Sequence, residues 1–187
     1  MLGFNGGLIG VDRTTTVGTA IGVWTPGEQV KARRSNTWPL VGLNFRYFRW
    51  TWTANRTVGS GVNTITSASE FRVRNGETDV SMASATIAAT TIVDSGGTPI
   101  ANLIDGNTTT KAISINETLP RSITIDIGSI VACTGYRWFT ADTTGRDPVS
   151  WTVEGSADNI TYILLDTITS FATTTTRQAE VGPFYFV

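Results

Sequence analysis

Beyond residue 44, apolar and polar positions alternate with a period of two, the pattern of half-buried strands. In Phe45–Ala54 (FRYFRWTWTA) the residues Phe48, Trp50, Trp52 and Ala54 share one face, with Tyr47, Arg49, Thr51 and Thr53 opposite. Thr64–Arg74 predicts a second strand with Phe71 and Val73 inward, and Ser81–Ala89 a weaker one. Ser122–Gly128 (SITIDIG) alternates cleanly through Ile123, Ile125 and Ile127. Further strands are expected at Gly135–Ala141, Ser150–Ser156, Thr161–Ile168 and Pro183–Val187. Val58–Asn63 and Ser95–Pro99 carry turn residues, and Ile100–Thr110 predicts one helical turn followed by a tight loop. About eight short strands with almost no helix predict an all-β antiparallel barrel or jelly roll.

The first 40 residues follow no such period. Glycines at 3, 6, 7, 10, 18, 22 and 27, with Pro26 and Pro39, punctuate the segment, and its apolar residues are scattered. Such a stretch cannot build its own core. It is expected to be an extended arm, residues 1–40, lying on a neighbouring subunit or a larger assembly, with the globular domain at 41–187.

Charge sharpens this division. Up to Gly76 nine basic residues face only Asp12, Glu28 and Glu70, whereas the remainder has five basic and twelve acidic residues, which together give the net charge of -1. Nearly all the cations are arginine, which suits planar pairing more than a solvated coat. The cluster Lys31, Arg33 and Arg34 is too small for a nucleic-acid face and fits docking onto an acidic protein surface. No apolar run reaches the ~20 residues of a membrane helix, and the start lacks the pattern of a secretory signal. The sequence contains no histidine and a single cysteine, Cys133, so Ser-His-Asp and Cys-His nucleophile systems have no members here. Carboxylate pairs such as Asp142 with Asp147, or Glu154 with Asp166, read as solvated strand ends. The expectation is a binding or structural protein, not an enzyme.

A specific order of motifs runs from Asn102 to Ser156: NLIDGN, SITIDIG, GYRWFTA, RDP and SWTVEGS, with Asp158 and Tyr162 following. That order resembles the discoidin family, the coagulation-factor C-type or galactose-binding-like domains that include many carbohydrate-binding modules. One departure stands out. The aromatic-Arg strand and Glu-bearing strand that close those domains match RYFRW at 46–50 and SEF at 69–71, ahead of the other motifs. The resemblance therefore implies a circularly permuted jelly-roll β-sandwich. It also implies a structural calcium ion held by the Asn102 carbonyl, the side chains of Asp105, Asn107 and Thr110, and Glu70. All are hard oxygen donors. The alternative is an Asx-capped turn at Asp105-Gly106 with Glu70 paired to Arg72 or Arg74.

Sugar sites in that family lie on loops at one end of the barrel, which brings forward Phe139, Asp142 and Arg146, with Arg146-Asp147-Pro148 open to reading as a structural turn. Trp50, Trp52, Trp138, Trp151 and Tyr162 sit on strands, and roughly four in five of them are expected in the core. GGLIG near the start and VWTPGEQVKARRSNTWP resemble the amino-terminal segments of small structural proteins of tailed bacteriophages. The combined expectation is a virion protein made in the host cytoplasm and released by lysis. Its arm would dock on other virion proteins through Trp24, Lys31, Arg33, Arg34 and Trp38, and it would form a homo-oligomer. A tail fibre or baseplate adhesin for host surface carbohydrate, a capsid decoration protein and a free lectin all remain open.

Overall fold

The computed structural model describes residues 43–57, 63–89 and 97–186. The proposed arm residues Trp24, Lys31, Arg33, Arg34 and Trp38 lie outside the described residues, as does most of the turn expected at 58–63. The described chain is all-β, with 57% of it in strands and 6% in helix.

Among the described residues eleven strands follow in order: β1 (Leu43–Asn55), β2 (Asn63–Ala68), β3 (Glu70–Asn75), β4 (Thr78–Asp79), β5 (Thr86–Ala89), β6 (Ala112–Thr118), β7 (Arg121–Cys133), β8 (Gly135–Phe139), β9 (Pro148–Ser156), β10 (Ile163–Ile168) and β11 (Glu180–Tyr185). They form a five-stranded sheet β10-β9-β1-β7-β5, a four-stranded sheet β11-β8-β3-β4 and a two-stranded ribbon β2-β6. Every pairing is antiparallel.

β1 is the centre of the larger sheet because its alternation gives one wholly apolar face. Phe48, Trp50 and Trp52 are fully buried, while Tyr47, Arg49 and Thr51 stay partly exposed. The second sheet packs on that face. The Trp50 ring lies 5.0 Å from Phe71 and 5.8 Å from Trp138, and Trp138 meets Trp151 edge-on at 5.6 Å. Large rings in such offset and edge contacts add to the area they bury. Of the five aromatics expected on strands, Trp50, Trp52, Trp138 and Trp151 are core residues, whereas Tyr162 precedes β10 and is only partly buried. One polar chain crosses the core: Trp151 Nε1 donates to the Tyr136 hydroxyl at 2.8 Å, which donates to Asp166 at 2.9 Å.

The expected strand at 64–74 is two strands. Ser69 interrupts it, donating its N–H to Phe139 O at 2.9 Å and its hydroxyl to Thr140 O at 2.8 Å. These bonds turn the chain out of the β2-β6 ribbon and into the four-stranded sheet. β6 was not evident from the sequence, and β7 runs well past Gly128 to Cys133. The helical turn expected near residue 100 is a 3-10 turn at Ile100–Leu103.

Register gives the sandwich two distinct ends. Leu43 pairs with Cys133, and the Phe186 N–H donates to the neighbouring Thr134 O at 2.9 Å, so both described termini meet at one end. Glu70 and Glu180 both pair with Phe139 at the other end, where the 3-10 turn and the connections after β8 also gather.

Candidate functional site

The end opposite the termini is built from three connections: the loop between the 3-10 turn and β6, the stretch from Thr140 to Asp147, and the Thr173–Arg177 segment. The last two are fixed by a buried carboxylate. Asp147 is 0% exposed and receives Arg177 Nη1 at 2.8 Å and Nη2 at 2.9 Å, with Arg56 Nη2 at 3.1 Å. Arg56 also donates to the carbonyls of Thr144 and Thr173, and Arg177 to that of Thr174. A charge so enclosed needs this many donors to offset its lost hydration. The Arg146-Asp147-Pro148 stretch is thus a structural turn, with Arg146 in the short 3-10 turn Thr144–Arg146.

The loop at 104–111 holds itself in shape. Asp105 Oδ1 accepts the Asn107 N–H at 2.8 Å, and Asp105 Oδ2 accepts the Thr110 hydroxyl at 2.7 Å. Asn107 Oδ1 accepts both the N–H and the hydroxyl of Thr109, and Gly106 has a φ of +78°, which glycine tolerates. The Asn102 side-chain amide donates to Lys111 O at 2.8 Å and closes the loop's base.

Glu70 approaches from β3 below. Its side chain is 1% exposed, and its Oε1 accepts the Gly106 N–H at 3.2 Å. Arg72 stands 3.9 Å away, a long contact, and Oε2 has no hydrogen-bond partner. Burial pushes the Glu70 carboxyl up to about 7 from its ordinary 4.5, against the pull of Arg72 and Gly106 and with help from Asp105. A buried, unpartnered carboxylate oxygen beside a second carboxylate is a cost unless a proton or a cation occupies the space. The residues therefore fit a hard cation: Glu70 and Asp105 supply charge, and Thr110 and Asn107 supply neutral oxygens in the same loop. Among the described residues no cluster of three or more acidic, His or Cys side chains occurs, so this set holds two carboxylates only. The Asx turn weighed against the metal is also present, and the two are compatible.

The sugar-site candidates differ in their surroundings. Asp142 is exposed and makes a close ion pair with Lys111, which holds its carboxyl below the usual range; its Oδ1 accepts the Thr143 hydroxyl at 3.0 Å. Lys111 links the 104–111 loop to the 140–147 connection, and no sequence motif marked it. The Phe139 ring is covered by the guanidinium of Arg72 at 4.9 Å and of Arg137 at 5.5 Å, on the outer face of the four-stranded sheet. Arg137 is in turn held by Asp79 and Glu180. Phe139 is accordingly not a bare stacking platform.

A shallow groove of about 370 Å³ lies at the opposite end, lined by Val80, Ser84, Ile127 and Val131 among others. No helix among the described residues is long and apolar enough to cross a membrane. No family model matches the chain, and neither does any curated protein or solved structure.

Proposed function

We propose that the chain is a bacteriophage virion structural protein, a tail fibre or baseplate adhesin. Its N-terminal arm anchors a circularly permuted, discoidin-like domain that displays a calcium-stabilised loop end toward host surface carbohydrate. The observation that carries this reading is the polarity of the sandwich. Residue 43, where the arm joins, lies beside Cys133, whereas Glu70, the 104–111 loop, Asp142 and Arg146 belong to the far end. A module tethered at one end and furnished with polar loops at the other suits display. The positions of Leu43 beside Cys133 and of Phe186 beside Thr134 support the permutation, because circular permutation requires ends that lie near one another.

Calcium would be held by Glu70, Asp105, Asn107 and Thr110 with the Asn102 carbonyl. It would supply the positive charge that the buried Glu70 oxygen lacks, and so fix the loop without taking part in any reaction. Lys111 and Asp142 would then present their polar groups from a rigid base.

The test is binding of the immobilised full chain to host surface polysaccharide, in calcium and in chelator. Saturable binding in calcium that falls in chelator and in Asp142→Ala is expected. Absence of binding in calcium rejects the adhesin, and a count of hundreds of copies per particle would assign the protein to the capsid surface instead.

A further inference from the structure

Two steps among the described residues join Asn or Asp to glycine, Asn75-Gly76 and Asp105-Gly106. Asparagine is a thermolabile residue, and before glycine it is at its weakest, because no side chain shields the following amide nitrogen. That nitrogen can attack the Cγ of the preceding residue once it sheds its proton. In both steps here the glycine N–H is already committed to a side chain from elsewhere in the fold. Gly106 donates to Glu70 Oε1 at 3.2 Å, and Gly76 donates to the Thr134 hydroxyl at 2.8 Å.

The Asn75 step closes the β3-β4 hairpin. Asn75 pairs with Thr78, so Gly76 and Glu77 form a two-residue turn, with Gly76 at a φ of +59°. Asn75 is exposed, and its side chain is within reach of water. Thr134 stands between β7 and β8 and is pinned by its own backbone. Its N–H donates to Arg74 O at 2.8 Å, and its O accepts the Phe186 N–H at 2.9 Å, so the hydroxyl is held against the turn. Much depends on that turn. The next pair in the hairpin, Arg74 with Asp79, brings the Asp79 carboxylate to Arg72, Arg74 and Arg137.

We infer that Asn75-Gly76 is a latent deamidation site and that Thr134 keeps it closed by occupying the Gly76 N–H. Without that bond, Gly76 N attacks Asn75 Cγ and forms a cyclic imide. The bond from Cγ to the side-chain nitrogen breaks, and that nitrogen leaves as ammonia with the proton from Gly76. Water then opens the ring at either carbonyl, giving aspartate or iso-aspartate. The iso-aspartate lengthens the backbone inside a two-residue turn and moves Asp79 out of register with its arginines. This inference stands independently of the adhesin reading.

The test follows the Asn75 amide by peptide mass spectrometry in the full chain held at pH 8. Loss is expected to be far slower than in a peptide of residues 70–80 in the same buffer. Thr134→Val keeps the branched shape but offers no acceptor, and removing one ordinary net hydrogen bond should speed the loss about fivefold. Thr134→Ser restores the hydroxyl and should return the parent rate, a rescue that a purely packing role would not give. If Thr134→Val fails to fold, hydrogen exchange of the Gly76 amide in the parent chain decides instead, and exchange slower than in the peptide is expected. Loss of the Asn75 amide in the parent chain at the peptide's rate overturns the inference. So do equal rates in Thr134→Val and the parent, failure of serine to rescue, or Gly76 exchange as fast as in the peptide.

Discussion

Replacing Glu70 by Gln separates the charge of this side chain from its shape. The amide keeps an oxygen for the Gly106 N–H and places a neutral group where Oε2 is buried without a partner. Because the folded carboxyl is raised from 4.5 to about 7, the native state holds its proton more tightly than the unfolded chain. Stability contributed by that proton is intact below pH 4.5 and is lost as the pH rises to 7, the reverse of an ordinary paired carboxylate. At 1.36 kcal/mol per pH unit, the loss by pH 8 is about 3 kcal/mol. In a domain of this size that is a melting shift of about 10 °C. In chelator, Glu70→Gln should therefore melt with the parent chain at pH 4 and well above it at pH 8. Calcium should reverse the order at pH 8, since only the parent carries the second carboxylate. Thermal melts by circular dichroism across pH 4–8 decide the matter. A difference between the two chains that does not change with pH would refute the burial of an uncompensated carboxylate.

Three further outcomes follow from the packing. Asp147→Asn removes the charge that Arg56 and Arg177 share, and denaturant titration should show a loss of about 3–5 kcal/mol, the usual consequence of breaking a buried pair. Gly135→Ala would place a Cβ 2.2 Å from the backbone oxygen of Phe184, which no rotamer change can move, so urea melts should show at least ~1–3 kcal/mol of destabilisation. Cys133 is buried and burial pushes its thiol up to about 12, so it should remain unreactive toward a disulfide reagent at pH 8 until the domain unfolds.

The alternation of β1 and β7 was readable because each buries one face against a whole sheet, which forces period two on Phe48–Trp52 and Ile123–Ile127. The break at Ser69 was not readable. It depends on hydrogen bonds to Phe139 and Thr140, some seventy residues away in sequence. β6 escaped notice because a short ribbon strand with Ala112 and Ser114 inward carries little apolar signal. The site shows the same division. The 102–110 loop could be singled out by resemblance, but the isolation of Glu70 Oε2 follows only from its burial. Phe139 looked available because nothing local announces that Arg72 and Arg137, from register partners on β3 and β8, cover its ring.

The chain's two lysines fall on either side of the proposed division, Lys31 in the proposed arm and Lys111 at the close of the 104–111 loop. Amine-reactive cross-linking of purified phage particles followed by peptide mass spectrometry tests the account most directly. Lys31 should be found joined to another virion protein, and Lys111 should carry reagent attached at one end only. Lys111 joined to a virion protein while Lys31 carries free reagent would contradict it, as would particles that lack the chain.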